Sequence, residues 1–588
     1  MPGSKEPPRI RQRARTNIDA RLDALRLQIA HPDALIWHAL LGILTGLATS
    51  VVIVGFRLVV EETQALMLPY HGENYEALPL SARLLLPLVG AVIIAIIFWR
   101  FSDGIRVLGV ARVLERMEYH QGHMRLRGLI LQFIGAAVAI VSGHSVGREG
   151  PHVYLGASSG SLLGQALELP NNSIRIMVAC GTAAGISASF NTPLAGVIFA
   201  LEVLNLEYSV ATFIPIILAA ASGDWLFVYF FSAKPLFDVP PSMVASLAHL
   251  TPVILLGVAA GSLSAAYTQA VQSIAKAAKV IPFLWRLVLA GVIAGLCGAL
   301  APQVMGLGFD SLNQLLSAHM AWEALVVLLI MKLFATSAAI GLGIPGGTIG
   351  PALFMGALLG NLTAVITAQF MDISAVPVNF YVLLGMGAMM GASLLAPLAG
   401  LIAIVELTHS PGMIMPGMLS IIIASLVSYK GFGKDSLFIT MLRANGLDYR
   451  VNPLIQELRR RAVGGVMNRR FVHQLASLDR AKAERLVAET PDWIIVNKDD
   501  KPTYLMPGFA VASYLSQNPE AESIDLLAIP GERLELSPIH LQATLQEAME
   551  TLQATGAQAL YVRRPLAPGI EHIYGVLTAS RIDTAYQY

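Results

Sequence analysis

A glutamate that interrupts an apolar, glycine-rich loop is the residue best placed to do chemistry in this chain. Glu149 stands in Gly147-Arg-Glu-Gly-Pro151, within the run GHSVGREGPHVYLGASSG from Gly143 to Gly160. Glycine allows close backbone approach, and proline suits the first turn of a helix, where its missing N–H costs nothing. The spacing therefore predicts a tight loop feeding a helix N-terminus. Such a terminus presents unpaired N–H groups and about half a positive charge, so it attracts anions without a lysine. A carboxylate buried there is expensive unless it faces a pathway. It could occupy the anion's place when ionised and leave it when protonated, giving a gate that reads pH and passing anions. The structural alternative is an ion pair of Glu149 with Arg148, but adjacent residues at a helix start do not face one another. His144 and His152 flank the loop; His144 could tune Glu149, although polar packing accounts for both.

The loop occurs twice. Gly343 to Gly360, GIPGGTIGPALFMGALLG, fits the same template, G-x3-G-x2-G-P-x4-G-A-x2-G. Pro193-Leu-Ala-Gly-Val-Ile running to Glu202 likewise returns as Pro397-Leu-Ala-Gly-Leu-Ile running to Glu406. The offset from Gly150 to Gly350, 200 residues, lies far above the roughly 20 to 50 residues of solenoid repeats. Two large related halves, each with an interrupted hydrophobic segment at a matching place, instead point to a transporter with its binding site between the halves. Small residues at this spacing also permit close helix packing. Packing alone does not explain Gly-Pro in both copies or a charged Arg148-Glu149 pair in the first.

The elements that must position these loops are membrane helices. The chain is 55% hydrophobic and only 13% charged, with a mean hydropathy of +0.62, so most of its solvent is lipid. Apolar runs cover Leu35 to Val60, Leu84 to Trp99, Ile176 to Leu201, Pro252 to Tyr267, Leu287 to Leu300, Ala324 to Ile340 and Leu398 onward. Several fall short of the roughly 20 residues a crossing needs, so tilted, broken and half-spanning helices are expected. The first 34 residues are polar and basic, which argues against a cleavable secretory signal. Arginines before the first run (Arg9 to Arg26) and after the last (Arg459 to Arg470) place both termini in the cytoplasm, with an even number of crossings of the cell inner (plasma) membrane. Cys180 and Cys297 lie inside apolar runs and read as small core residues rather than a disulfide or metal framework. From Arg450 onward, alternating stretches such as Trp493-Ile-Ile-Val496 and Ala559-Leu-Tyr-Val562 mark a soluble α/β module.

Gly147-Arg-Glu-Gly-Pro151 resembles the GREGP signature of the CLC family of chloride channels and proton-coupled chloride antiporters. Gly347-Thr-Ile-Gly-Pro351 resembles its GxFxP motif, and Asn191-Thr-Pro-Leu-Ala-Gly196 its NxPLAG segment. The resemblance covers roughly residues 35 to 445. It implies an all-α polytopic domain of inverted repeats (about 35–235 and 250–445), a homodimer with a pathway in each protomer, and Glu149 as the external gating glutamate. Chloride and similar small anions would be the cargo, with protons as a second one. The implied chloride-binding positions are Ser102, Asp103, Gly104, Gly147, Arg148, Gly150, Thr348, Ile349 and Phe438.

Three of these depart from the family pattern. Asp103 falls where a chloride-coordinating serine is expected, and an ionised aspartate aimed at the anion would repel it, so either Asp103 turns away and backbone N–H groups or Ser102 serve the site, or the central site is weak. Ile349 replaces phenylalanine, and Phe438 stands where a tyrosine hydroxyl usually touches the anion. Val203 occupies the place of the internal proton-transfer glutamate of many antiporters, which points to channel-like or weakly coupled transport. A proton route would otherwise run through Glu149 and Glu202, although Glu202 and Glu406 read first as residues that cap or brace a helix interface. Asp224 and Lys332 are further charges in apolar stretches, suited to a vestibule or to burial against partners.

Residues 446–588 resemble a pair of CBS domains, with repeats from Val466 to Met506 and from Ile524 to Asp583. The resemblance admits a nucleotide as cofactor. Against it, Thr578-Ala-Ser-Arg581 puts Arg581 where the ribose-holding aspartate is expected, so a dimer-bracing tail is an equal reading. No HExxH or paired-Asp arrangement suggests an enzyme, and no nucleic-acid partner is indicated. A cation-coupled solute transporter shares duplication and broken helices, but Thr348-Ile349 in the second copy offers no carboxylate opposite Glu149.

Overall fold

The structure is a computed structural model that describes residues 26, 28–29, 34–69, 73–103, 108–231, 249–317, 320–370, 378–447, 453–498, 501–567 and 570–587. Two compact units emerge. One comprises His38–Gln165 and Arg175–Arg450, the other Met1–Trp37, Ala166–Ile174 and Val451–Tyr588.

The first unit is built from helices. Its first half carries α1 (Leu35–Met67), α2 (Leu80–Phe101), α3 (Val110–Tyr119), α4 (Leu126–Val141), α5 (Glu149–Ala166), α6 (Asn171–Phe190), α7 (Pro193–Val203) and α8 (Val210–Phe231). The second half carries α9 (Leu250–Ala277), α10 (Phe283–Leu300), α11 (Phe309–Ser317), α12 (Trp322–Leu342), α13 (Ile349–Thr367), α14 (Val378–Leu394), α15 (Pro397–Thr408), α16 (Ile414–Leu426) and α17 (Leu437–Ala444). Among the described residues, nine helices are long and apolar enough to cross a membrane, whereas α4, α7, α14 and α15 are shorter apolar pieces. The chain is a multi-pass membrane protein whose helices include broken and half-spanning ones.

The continuous apolar run from Ile176 to Leu201 is not one helix. Asn191 turns left-handed (φ 56°) and Pro193 opens α7, so the run breaks into α6 and α7. Leu395 (φ 50°) and Pro397 make the same break between α14 and α15. Proline lacks the N–H that would continue the preceding helix, and its ring clashes with the turn before it.

Each break is braced from the other half. The Glu202 carboxylate, near the end of α7, accepts from Leu398 N (3.1 Å) and Ala399 N (2.8 Å) in the first turn of α15. The Glu406 carboxylate returns the contact to Leu194 N (3.0 Å) and Ala195 N (2.7 Å) in the first turn of α7. A carboxylate on these otherwise orphaned N–H groups is the cap a helix start needs. The structure thus gives both residues the bracing role.

The second unit repeats one pattern. Strand β1 (Phe471–Leu475), helix α18 (Arg480–Ala488), strands β3 (Trp493–Lys498) and β4 (Lys501–Pro507) and helix α19 (Gly508–Gln517) form the first copy. Strand β6 (Leu534–His540), helix α20 (Leu545–Thr555), strands β7 (Ala559–Ala567) and β8 (Ile570–Thr578) and helix α21 (Ala579–Gln587) form the second. In each copy the first two strands run parallel across the helix, with Phe471 beside Trp493 and Leu536 beside Ala559, and the next strand returns antiparallel. The six strands join in the order β1-β3-β4-β6-β7-β8, while β2 (Ser477–Asp479) and β5 (Ser523–Asp525) pair separately. This β-α-β-β-α duplication is consistent with a CBS pair, and its first copy runs on through α19, past Met506. Helix α19 sets Val511, Tyr514 and Leu515 at helical spacing into the core of that copy.

Candidate functional site

The glycine loops are built alike and meet. Each follows a helix that ends on a left-handed glycine, Gly143 (φ 80°) after α4 and Gly343 (φ 101°) after α12. The paired bonds His144 N to Ala139 O with Gly143 N to Ile140 O, and Ile344 N to Ala339 O with Gly343 N to Ile340 O, close both helices with the same motif. Four residues later Gly147 and Gly347 face each other and exchange two backbone hydrogen bonds, 2.8 and 2.7 Å. A side chain has no room here. A Cβ on Gly347 would lie 2.7 Å from Gly150 N, and one on Gly150 would lie 2.7 Å from Gly347 Cα.

Helices α5 and α13 start immediately beyond this bridge, so their N-termini converge. Pro151 and Pro351 are their third residues, inside the first turn as the spacing predicts. Glu149 is fully buried. Its Oε2 accepts from Gly350 N at 3.0 Å, and Oε1 has no hydrogen-bond partner. The carboxylate of one half therefore sits on the helix N-terminus of the other, in the place where a small anion would be held.

Two cavities flank this contact. One, of about 400 Å³, is lined by Arg148, His152, Arg57, Glu73 and Phe309 among others. The other, of about 390 Å³, is lined by Gly150, Gly346, Gly347, Thr348 and Phe438. The residue before Glu149 thus faces one cavity and the residue after it faces the other. Arg148 does not engage Glu149 sideways; its guanidinium stacks over Phe309 at 4.7 Å. Thr348 presents a buried hydroxyl with no partner in the wall of the second cavity.

Gly147, Arg148, Glu149, Gly150, Thr348 and Phe438 are therefore brought to one place. Ile349 is buried in the apolar core as the first residue of α13. Asp103 turns away, the first of the two alternatives: it is exposed, left-handed (φ 45°) and ion-paired with the exposed Arg127, and it lines neither cavity. Ser102 caps the end of α2 through its N–H to Phe98 O and lines neither cavity. Gly104 lies outside the described residues. Leu108 and Gly109 are the described residues of that loop that reach the second cavity.

His144 bonds Ser142 Oγ and His152 bonds Ser189 Oγ, the polar packing expected of them. Asp224 accepts from Ser187 Oγ at 3.2 Å. Lys332 is fully buried and donates to Val304 O and Gly306 O. Sequence reasoning missed Glu73 and Phe309 altogether. Both lie in polar or glycine-rich connections with no motif, and their contacts span more than 200 residues of chain.

Comparison with known proteins places this geometry. Residues 89–429 match the family model described as voltage gated chloride channel. A putative chloride channel protein, ClcB-like, of Ralstonia nicotianae is 32% identical over 63% of this chain and 87% of its own length. An H(+)/Cl(-) exchange transporter, ClcA, of Yersinia pestis is 27% identical over 57% of this chain and 72% of its own. Among solved structures, a slow cyanobacterial Cl-/H+ antiporter superposes with a TM-score of 0.61 at 20% identity, covering 69% of this chain and 97% of that one. A eukaryotic CLC transporter superposes with a TM-score of 0.58 at 17% identity, covering 95% and 98%.

Proposed function

Because the chain belongs to the voltage-gated chloride channel family, we propose that it carries chloride and similar small anions across the membrane by a path that Glu149 gates. The observation that carries this reading is the Glu149 carboxylate on Gly350 N, with one cavity on each side. An ionised Glu149 fills the anion position. Protonation removes its charge, frees Gly350 N–H, and opens the place to an anion between two helix N-termini. The cavity on the Gly150 side offers backbone N–H groups and the Thr348 hydroxyl, with no carboxylate among its described lining residues to coordinate a cation.

The transport is channel-like or weakly coupled to protons. Val203 is buried where an internal proton donor would stand, and both oxygens of its neighbour Glu202 are engaged on α15. Coupled exchange is the second reading, favoured by the exchangers among the relatives. The reading includes a homodimer with a pathway in each protomer, as the family resemblance implies. Both termini, and with them the CBS-like tail, lie in the cytoplasm of a cell with an inner membrane. The tail acts as a brace, since Arg581, in the place of a ribose-binding aspartate, donates to Val466 O instead.

Liposomes loaded with potassium chloride test this reading. Valinomycin-dependent chloride efflux is expected, and sodium-dependent uptake of a solute without chloride flux would overturn it. In the same vesicles a chloride gradient is expected to drive little or no proton movement; strict stoichiometric proton movement would establish exchange.

Glu202 supplies a separate test. Glu202→Ala leaves two N–H groups of α15 without acceptors, at a cost of about 1–3 kcal/mol each where water cannot replace them. The expected result is a lower unfolding temperature in detergent with the pH dependence of flux unchanged. Loss of proton movement at unchanged stability would return Glu202 to a proton route.

A further inference from the structure

Glu73 lies in the connection between α1 and α2. Its Oε2 accepts from Gly308 N (3.1 Å) and Phe309 N (3.4 Å), so it caps the start of α11. The connection between α10 and α11 is held from its other side, where the buried Lys332 ammonium donates to Val304 O (3.1 Å) and Gly306 O (3.5 Å). Both Gly306 (φ 57°) and Gly308 (φ 79°) are left-handed, so the segment between α10 and α11 follows a path that ordinary residues would resist. Gly306 N also donates to Gly143 O, at the root of the first glycine loop. The segment ends on Phe309, whose ring carries the Arg148 guanidinium. Arg148 Nε is buried without a hydrogen-bond partner, so its position depends on that ring and on surrounding charge.

We infer that Glu73 is a second titratable control on the pathway, a positioning residue that sets the Arg148 side of the Glu149 gate through Gly308 and Phe309. This rests on the reading of Glu149 as the gate of an anion path. The charged and titratable groups facing the Glu73 carboxyl are Arg148 from the first glycine loop, Lys332 from α12, Asp310 from α11 and Tyr75 from its own connection. Arg57, Glu61 and Glu62 of α1 and His152 of α5 share the cavity wall. Burial raises the Glu73 carboxyl to about 7, against the opposing pull of Arg148 and the two backbone N–H groups. The residue is half-buried and lines that cavity, through which a proton can reach it.

The direction follows. Above pH 7 the carboxylate is ionised, grips the start of α11 and offsets the charge of Arg148. Below pH 7 it is neutral. The two charge-assisted bonds then weaken, and Arg148 presents more of its charge to an incoming anion. Anion flux should rise as pH falls through 7, by a step distinct from the one Glu149 produces.

The experiment removes the larger step first. In Glu149→Gln, chloride efflux is expected to keep a step of about threefold centred near pH 7, at the low end of what remote positioning residues contribute. Adding Glu73→Gln should flatten it. A flat Glu149→Gln profile, or the same step in the double variant, overturns the inference. Should the double variant fail to fold, Phe309→Leu in the Glu149→Gln background serves, since it cuts the link to Arg148 and leaves the carboxyl intact; persistence of the step there also overturns the inference. A readout independent of transport is amide exchange across residues 304–317 in wild type, corrected for intrinsic rate. Exchange should quicken as pH falls through 7, and in Glu73→Gln it should be quick throughout. Absence of chloride flux with this exchange pattern intact would count against the proposed function and leave the role of Glu73 standing; absence of the pattern would count against Glu73.

Discussion

Glu149→Ala and Glu149→Gln should both conduct anions, and both should lose most of the pH dependence that wild type shows. The ionised carboxylate holds Gly350 N–H through a charge-assisted bond in a site closed to water, and such bonds contribute about 1.5–3 kcal/mol. Loss of that charge therefore shifts the balance between plugged and open by roughly 10- to 150-fold. Wild-type efflux should climb by about that factor from alkaline to acid pH. Alanine leaves nothing to fill the place, so its flux should sit near the acid plateau at every pH. Glutamine can still accept from Gly350 N–H as a neutral amide, a bond about half as strong, and its flux should fall below that of alanine. Only the small step assigned to Glu73 should survive in either. Efflux from liposomes between pH 5 and 8.5 checks this. A pH profile in both variants that superposes on wild type would remove Glu149 from the gate.

The site was legible to the extent that its chemistry is backbone chemistry. Gly147, Gly347 and the two prolines announce helix starts because only those residue types tolerate the geometry, and the observed Gly147–Gly347 bridge joins them. Side-chain partners were not legible. The position of Asp103 left open whether it turns away or weakens the site; a turn at the end of α2 sends it to Arg127, and turn geometry at one residue leaves little trace in composition. Glu73 and Phe309 depend on contacts across 236 residues of chain, which no local pattern encodes. Glu202 and Glu406 were readable as braces because the duplication displayed each as the echo of the other.

The template also merged two jobs. Its first half, G-x3-G-x2-G-P, builds the anion position. Its second half, G-A-x2-G, builds helix contacts: a Cβ on Gly156 would lie 2.1 Å from Gly181 O and one on Gly160 2.1 Å from Met177 O, both on α6. In the other copy the distances are 2.3 Å from Gly356 to Gly385 O and 2.2 Å from Gly360 to Tyr381 O, both on α14. Sequence reasoning set close packing against anion binding as rivals. In the fold they are consecutive turns of one helix, and the packing turns hold the binding turn in place.

That division predicts a large stability effect remote from the anion. Gly356→Ala places a methyl group where a backbone carbonyl already stands, and neither backbone can rotate out of the way, so α13 and α14 must part. Overpacking of this kind costs about 1–3 kcal/mol, and a β-branched residue more. Gly356→Ala should lower the unfolding temperature in detergent by several degrees, and Gly356→Val should yield no folded protein. Because Gly350 N is carried on the same helix, displacement of α13 also draws the donor from Glu149, so the alanine variant should retain less of the wild-type pH dependence. Gly55 supplies the control. It lies within α1 and a Cβ there meets nothing within 4 Å, so Gly55→Ala should be neutral or should stabilise by up to about 1 kcal/mol through helix propensity. Equal unfolding temperatures for Gly55→Ala and Gly356→Ala would show that the second half of the template does not set the spacing of α13 and α14. The convergence of the two helix starts would then need another support.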